Sequence, residues 1–407
     1  MPPAEGPAGV RRVVITGLGL RIPGASNLAS LASLYRSGKA ATVPLTGALA
    51  GFTGGRVVDD DIDGADTSKM DRSVVLALAA AADAVAQAGL TSHDPALTSA
   101  GVYVGCGGGG MGAIEQSVVD VYGDVPLKGT ALVKSMANAA AAHISIAHGC
   151  QGPSLTYAMA CSSSAHAIGE AVMAIRHGRC ATAIAGGTEA ALTLSLHRSW
   201  TALRLLATGA DAACRPFCYE RTGLLLAEGS VFYILESLES ARARKAPVLC
   251  EIRGYGARSD ASHITAPSAE GQARTMAAAL DDAGMAARDI GHVSAHGTAT
   301  LTGDLAETRS ITAVFGDHAR NLAISATKSF HGHLLGGAGA VALLASLLAV
   351  NNGLLAPTTN FGTNDPDLDL DYIPNQARET APVGASLCNA FGFGGSNATL
   401  IVAAPGV

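Results

Sequence analysis

Aromatic side chains are scarce in this chain: Phe, Trp and Tyr make up 4% of its 407 residues, and Trp200 is the only tryptophan. Lys and Arg form no cluster, and Asp+Glu exceeds Lys+Arg by 33 to 27, a formal charge of −6. Without stacking platforms or a basic stripe, nucleic acid is not an expected partner. Charged residues are 15% against 48% hydrophobic, which argues against disorder, coiled coils and low-complexity repeats and describes a chain that buries a large core. A Ser/Pro/Gly linker is also missing, so one unit is expected even though the length alone suggests two or three domains.

Residues 1–10 show no basic region followed by an apolar stretch, so secretion is not indicated and a cytoplasmic location is expected. The longest apolar run, Leu334 to Val350, is interrupted by Gly336, Gly337, Gly339 and Ser346 and is shorter than the roughly 20 residues of a membrane span. It is read as a buried helix, with no membrane partner. Eight cysteines (106, 150, 161, 180, 214, 218, 250 and 388) occur without a CxxC pair, which argues against zinc and a disulfide framework. No metal is expected.

The pattern that remains is α/β. Val13 to Thr16 reads as a buried strand meeting a tight turn at Gly17-Leu18-Gly19, residues 74–88 as a helix stopped by Gly89, and 101–105 as a strand. The second half repeats the plan, with a helix over 276–284 ended by glycine and a strand over 292–296. Strands alternating with helices that are apolar nearly all round predict a layered architecture with covered sheets. Two similar halves, 1–250 and 251–407, would be related by a pseudo-twofold axis within one unit.

Three segments carry candidate chemistry. After Cys161, apolar residues at 165, 168, 172 and 175 fall at helical spacing, which places the cysteine at a helix N-terminus. There, unpaired N–H groups and the macrodipole favour the thiolate and lower its pKa. His296, in Ser294-Ala-His-Gly-Thr298-Ala-Thr300, ends a strand, and His333, in Lys328-Ser-Phe-His-Gly-His, opens the apolar helix. Taken singly, a lone cysteine or histidine is more often a core residue. The glycine-rich Phe391-Gly-Phe393-Gly-Gly395-Ser-Asn397 permits close backbone approach to a ligand but lacks the lysine of a phosphate loop.

Together these segments resemble the β-ketoacyl-acyl carrier protein synthases of the thiolase superfamily, the elongating type of fatty-acid and polyketide assembly. The likeness extends over essentially the whole chain: VVITGLG (13–19), SKMDR (68–72), GPS (152–154), ACSS (160–163), AGGTEA (185–190), RPF (215–217), AEGS…ILE (227–236), HITAP (263–267), AHGTAT (295–300), TKSFHGH (327–333) and FGFGGSN (391–397). The resemblance implies a thiolase-like duplicated α-β-α-β-α layered fold. It implies decarboxylative condensation of an acyl chain, held as a Cys161 thioester, with malonyl-acyl carrier protein.

In that scheme His296 and His333 supply hydrogen bonds from neutral rings. Lys328 orients His333 and fixes its tautomer with Glu307 as ion partner, and the backbone N–H groups of Cys161 and Phe393 form the oxyanion hole. Phe391 and Phe393 match a gate that opens for malonyl-carrier after acylation. Thr298 and Thr300 match the hydroxyls that bind the phosphopantetheine arm, which arrives on the carrier rather than as a resident cofactor. Lys69 and Arg204 fall where the family meets its acidic carrier. Gly108 stands in place of a bulky pocket residue, implying a deeper acyl pocket, with Trp200 as a pocket aromatic.

The partners implied are an acyl carrier protein and a second subunit, either another copy or a chain-length-factor-like chain. Type II polyketide or specialised fatty-acid synthesis is favoured. Housekeeping fatty-acid elongation and a non-catalytic chain-length-factor role are the alternatives, the latter disfavoured because Cys161, His296 and His333 are all present.

Overall fold

The structure, a computed structural model, describes residues 11–58, 69–209 and 211–405. Ten strands form one sheet, in the order Ala323–Ser325, His292–Ser294, Ala385–Gly392, Ser396–Ala403, Cys250–Ser259, Val13–Arg21, Glu228–Ser237, Thr182–Ala190, Gly101–Gly105, Ser154–Tyr157. Val13–Arg21 and Cys250–Ser259 meet antiparallel over three residue pairs at the middle. Outward from there, each half has two antiparallel steps followed by two parallel ones. The two halves therefore repeat one topology, as the repeated sequence plan predicts.

Three large apolar clusters fill the spaces between layers. The central one holds the helices Ser163–Arg176 and Ala338–Asn352 between the half-sheets. The second packs Arg72–Gln87 and Ala139–His148 on the outside of the first half, and the third packs Ala269–Ala283 and Leu301–Phe315 outside the second. This is the α-β-α-β-α layering.

The helix Ala338–Asn352 is buried from Ala338 to Val350, which explains why its sequence is apolar on every face. Leu343, Leu344 and Leu347 are fully buried, each contributing about 1.5–3 kcal/mol of transfer free energy. The long apolar run is thus a core helix.

Some boundaries differ from expectation. Gly17-Leu18-Gly19 is no turn: the strand continues to Arg21. The glycines serve close packing instead, because a Cβ on Gly17 would lie 2.2 Å from the Ala84 carbonyl oxygen and one on Gly19 2.0 Å from that of Ala80. The helix expected over 276–284 begins at Ala269, where the Ser268 hydroxyl caps Gly271 N–H, and ends at Gly284 with φ +62.

The N-terminal turns of the two central helices touch. Ala340 N–H donates to Ser164 Oγ at 2.9 Å, and a Cβ on Gly339 would meet Ala165 Cβ at 2.9 Å. At the far edge of the first half-sheet the surface is apolar. Leu155 on the edge strand Ser154–Tyr157 and Ile146 on the helix packed against it are exposed, and the helix Met111–Tyr122 buries none of its residues, leaving Val118, Val119, Val121 and Tyr122 exposed as well.

Candidate active site

Cys161 lies in the tight turn Ala160–Ser162, two residues before the start of the helix Ser163–Arg176. Ala160 adopts φ +49, a left-handed conformation that costs on the order of 1–3 kcal/mol for a residue with a Cβ. The turn is held by short bonds: Ser163 Oγ donates to the Ala160 carbonyl at 2.6 Å, Ser162 Oγ donates to the Met159 carbonyl at 2.8 Å, and Met159 N–H donates to Ser163 Oγ at 2.8 Å.

The thiol is not more acidic than usual, contrary to expectation. Burial pushes its pKa up to about 11. The Lys328 charge and the backbone N–H groups of Phe393 and Cys161 itself favour the thiolate but do not offset desolvation, to which the Glu189 carboxylate adds. Both N–H groups assigned to the oxyanion hole therefore point at the sulfur.

His296 and His333 stand on either side. Their ring centroids are 5.6 Å apart at an interplanar angle of 81°, and one ring nitrogen of each lies with Cys161 Sγ in a group whose members are all within 4.8 Å of one another. Burial, then the Lys328 charge, holds both imidazoles well below their usual pKa, so both are neutral. His333 Nδ1 accepts the Leu335 N–H at 3.1 Å. The proton of this neutral ring is therefore on Nε2. His333 Nε2 and His296 Nδ1 are buried without a partner among the described residues, and such orphans call for an explanation such as a reacting group.

That spacing would also suit a metal ion by distance alone. A thiol that stays protonated near neutral pH and an Nε2 that carries its proton are poor metal donors. The set fits acyl transfer better.

The His296 loop is gripped from two sides. Glu307, on Leu301–Phe315, accepts the N–H groups of His296 and Gly297, both at 2.8 Å, and Asn389 Nδ2 at 3.2 Å. Lys328 Nζ donates to the His296 carbonyl oxygen. The expectation that Lys328 orients His333 is thus corrected: the lysine fixes the His296 backbone, and a backbone N–H fixes the His333 tautomer. Nor do Lys328 and Glu307 form an ion pair within 4.0 Å among the described residues. Their attraction acts across the loop they share.

Thr298 and Thr300 lie together, Oγ1 to Oγ1 at 2.9 Å, on the wall of the cleft that reaches Cys161. The Thr300 hydroxyl also caps Gly303 N–H. Asp304 supports the same loop by accepting Ala299 N–H at 3.1 Å and Phe217 N–H at 2.7 Å, and burial raises its pKa to about 7.

The cleft encloses about 710 Å³ including its mouth, with Phe391, Phe393 and Trp200 on its walls. Phe391 lies edge-on to His296 at 5.9 Å, and Phe393 stacks on Trp200 at 5.4 Å and 18°. Lys69 and Arg204 are exposed.

Gly108 does not line this cleft. Its N–H donates to Glu189 at 3.0 Å, and a Cβ there would meet Met111 Cγ at 2.7 Å. Glu189 itself carried no role in the sequence reading beyond the AGGTEA match. Its buried carboxylate accepts the N–H groups of Gly107 (2.8 Å), Gly108 and Gly336 (2.9 Å), tying the 106–110 loop to the turn that follows His333. A glutamate after two glycines at a strand end was the only signal.

Comparison with known proteins agrees with this geometry. Residues 10–241 match the family model described as beta-ketoacyl synthase, N-terminal domain, and residues 249–362 match the C-terminal domain. The chain belongs to the beta-ketoacyl synthase family.

Among curated relatives, nodulation protein E of Rhizobium meliloti (strain 1021) is 41% identical over 399 residues, covering 96% of this chain and 98% of the relative. The 3-oxoacyl-[acyl-carrier-protein] synthase 2 of Staphylococcus aureus (strain N315) is 37% identical over 405 residues, with the same coverage of both chains. Among solved structures, a type II polyketide ketosynthase bound to its acyl-carrier protein and a hexaketide superposes with a TM-score of 0.90 at 29% identity, covering 97% of this chain and all of that one. The ishigamide ketosynthase/chain length factor gives a TM-score of 0.90 at 32% identity over 98% of this chain and all of that one. The fold is that of the thiolase-like ketosynthases, and the chain is an acyltransferase of the ketosynthase type.

Proposed function

We propose that this beta-ketoacyl synthase condenses a carrier-delivered acyl chain with malonyl-acyl carrier protein in type II polyketide or specialised fatty-acid synthesis. The convergence of one sulfur and two neutral imidazoles at the foot of one cleft carries the reading. The Cys161 sulfur attacks the acyl thioester as its S–H proton passes to the departing carrier sulfur, giving an acyl-Cys161 thioester and the free carrier thiol. Both tetrahedral oxyanions lie in reach of the Cys161 and Phe393 N–H groups, donors worth about 2.7–4 kcal/mol each in comparable sites.

Malonyl-carrier follows. As its C–C bond to the carboxylate breaks and CO₂ departs, the electron pair passes to an enolate whose oxygen accepts from His333 Nε2–H and from His296. The carbanion carbon then attacks the acyl carbonyl and Cys161 leaves as thiolate. The hydroxyls of Thr298 and Thr300 are the polar wall for the phosphopantetheine arm, and Lys69 and Arg204 the exposed cations for an acidic carrier. Phe391 and Phe393 act as the gate between the two half-reactions.

Gly108 keeps its reading as the end of a deep acyl pocket. That reading rests on the place of Gly108 in the family pattern, where a bulkier residue commonly closes the pocket. The exposed apolar face at the edge strand fits a second subunit, either another copy or a chain-length-factor-like partner. Eight unpaired, buried cysteines suit the reducing cytoplasmic location we assign.

Similarity to nodulation protein E and to a hexaketide-bound ketosynthase favours specialised synthesis over housekeeping elongation. Intact-protein mass spectrometry tests the reaction. An acyl adduct on Cys161 should form from acyl-carrier and disappear only when malonyl-carrier is added, whereas no adduct would favour a non-catalytic partner subunit.

A further inference from the structure

The one tryptophan is held where the gate closes. Trp200 sits near the end of the helix Leu194–Ala202, whose first turn is fixed by Glu115 through the Leu194 and Ser195 N–H groups at 3.2 and 2.7 Å. The indole lies nearly parallel to the Phe393 ring, centroids 5.4 Å apart, and both line the cleft above Cys161. Phe393 begins a turn whose Gly394 and Gly395 have φ +80 and +70; Gly394 N–H donates to the Ile264 carbonyl at 2.7 Å and the Gly395 carbonyl accepts the Asp260 N–H at 2.9 Å, so the glycines are tied down and the Phe393 ring packs on Trp200.

We propose that Trp200 is the latch of the gate: its stack on Phe393 holds the turn in the arrangement that aims the Phe393 N–H at the Cys161 sulfur, and release of that stack admits the malonyl substrate. The inference rests on the gate reading of Phe393. It assigns the closed state to a partner outside the FGFGGSN segment. Trp200 is a positioning residue, since it acts through Phe393 and not on the reacting atoms. Without it, malonyl-carrier reaches His296 and His333 before Cys161 is acylated, and the carboxylate is lost with no carbonyl to attack, the carbanion taking a proton to leave acetyl-carrier.

The test measures CO₂ released from malonyl-loaded bacterial acyl carrier protein with acyl donor withheld. Trp200→Leu should raise this uncoupled decarboxylation by about 2- to 12-fold, the range one aromatic stack supports, and Trp200→Phe, which keeps a ring to stack, should restore it towards wild type. Phe393→Leu should raise it similarly, and the double variant no further. Wild-type fluorescence, which has Trp200 as its only tryptophan, should change when Cys161 is acylated, a readout that needs no variant to fold.

Uncoupled release at the wild-type level in Trp200→Leu but raised in Phe393→Leu overturns the latch and leaves the gate standing. Wild-type release in both overturns the gate and the latch with it. Equal leakage in Trp200→Leu and Trp200→Phe, or an unchanged fluorescence spectrum on acylation, also rejects the stack as the latch.

Discussion

Lys328 holds His296 by its backbone carbonyl and not by its ring. The lysine therefore acts at a distance on everything that ionises nearby: its charge depresses both imidazoles and is the main force favouring the Cys161 thiolate. With burial setting the thiol near 11, iodoacetamide alkylation of Cys161 should keep rising past pH 10. Lys328→Met should slow it at fixed pH by about tenfold for each unit the thiol pKa rises further. Peptide mass spectrometry of Cys161 reads both, and a plateau near pH 9 would contradict the burial argument.

Glu189 connects the turn after His333 to the loop at Gly107 and Gly108. Glu189→Gln keeps the size but places an amide N–H₂ where three N–H donors converge, leaving at least one unpaired at about 1–3 kcal/mol. The turn that presents Leu335 N–H to His333 should shift. Decarboxylation of malonyl-carrier is expected to fall more than tenfold in kcat with KM nearly unchanged; equal losses in Cys161 alkylation would instead indicate general disorder.

Asp304 gives a pH signature. Its carboxyl sits at about 7 in the folded protein against 3.8 for the ordinary group, raised chiefly by burial. Between those values the folded state keeps a proton that the unfolded state has released. Its contribution to stability therefore falls as pH rises through that window, by at most about 1.4 kcal/mol per pH unit, and is level above it. Denaturant midpoints of wild type and Asp304→Asn should converge as pH rises from 4 to 7, apart from a constant offset for the lost N–H acceptor; parallel profiles would deny the raised pKa.

Gly108→Ile should shift preference towards shorter acyl donors in a graded series of acyl-carriers if this loop closes the acyl pocket, because a side chain there displaces Met111 and crowds Glu189. Unchanged relative rates across the series would remove Gly108 from the acyl pocket without touching the condensing reaction.

The apolar edge predicts association. Ile146→Asp combined with Leu155→Lys should halve the sedimenting mass of the purified chain, or release a co-expressed partner of the same fold, since charges on an edge strand oppose pairing. An unaltered mass would place the interface elsewhere.

Much of the fold was legible because it is written twice. Helix-ending glycines at 89 and 284 and strands opening at 101 and 292 repeat at equivalent places, and the cysteine and two histidines stand in segments with strong local signatures. What was hidden depends on distant packing. Gly17 and Gly19 look like turn residues until a helix is seen pressing on them. The Lys328 acceptor is a carbonyl 32 residues away in sequence, and the Leu335 N–H that sets the His333 tautomer follows from a turn geometry with no residue signature. The thiol's position above its usual pKa is a property of enclosure, which no local motif reports.

One consequence follows from the contact of Gly339 with Ala165 and of Ala340 with Ser164. The sulfur belongs to the start of one repeat's inner helix and the His333 imidazole to the start of its counterpart, so the distance between them gauges how the two repeats seat on each other. A bulkier residue wedged at that seam would open the triad while leaving each repeat intact. Mild loosening of the repeats would then silence the chemistry before either one melts.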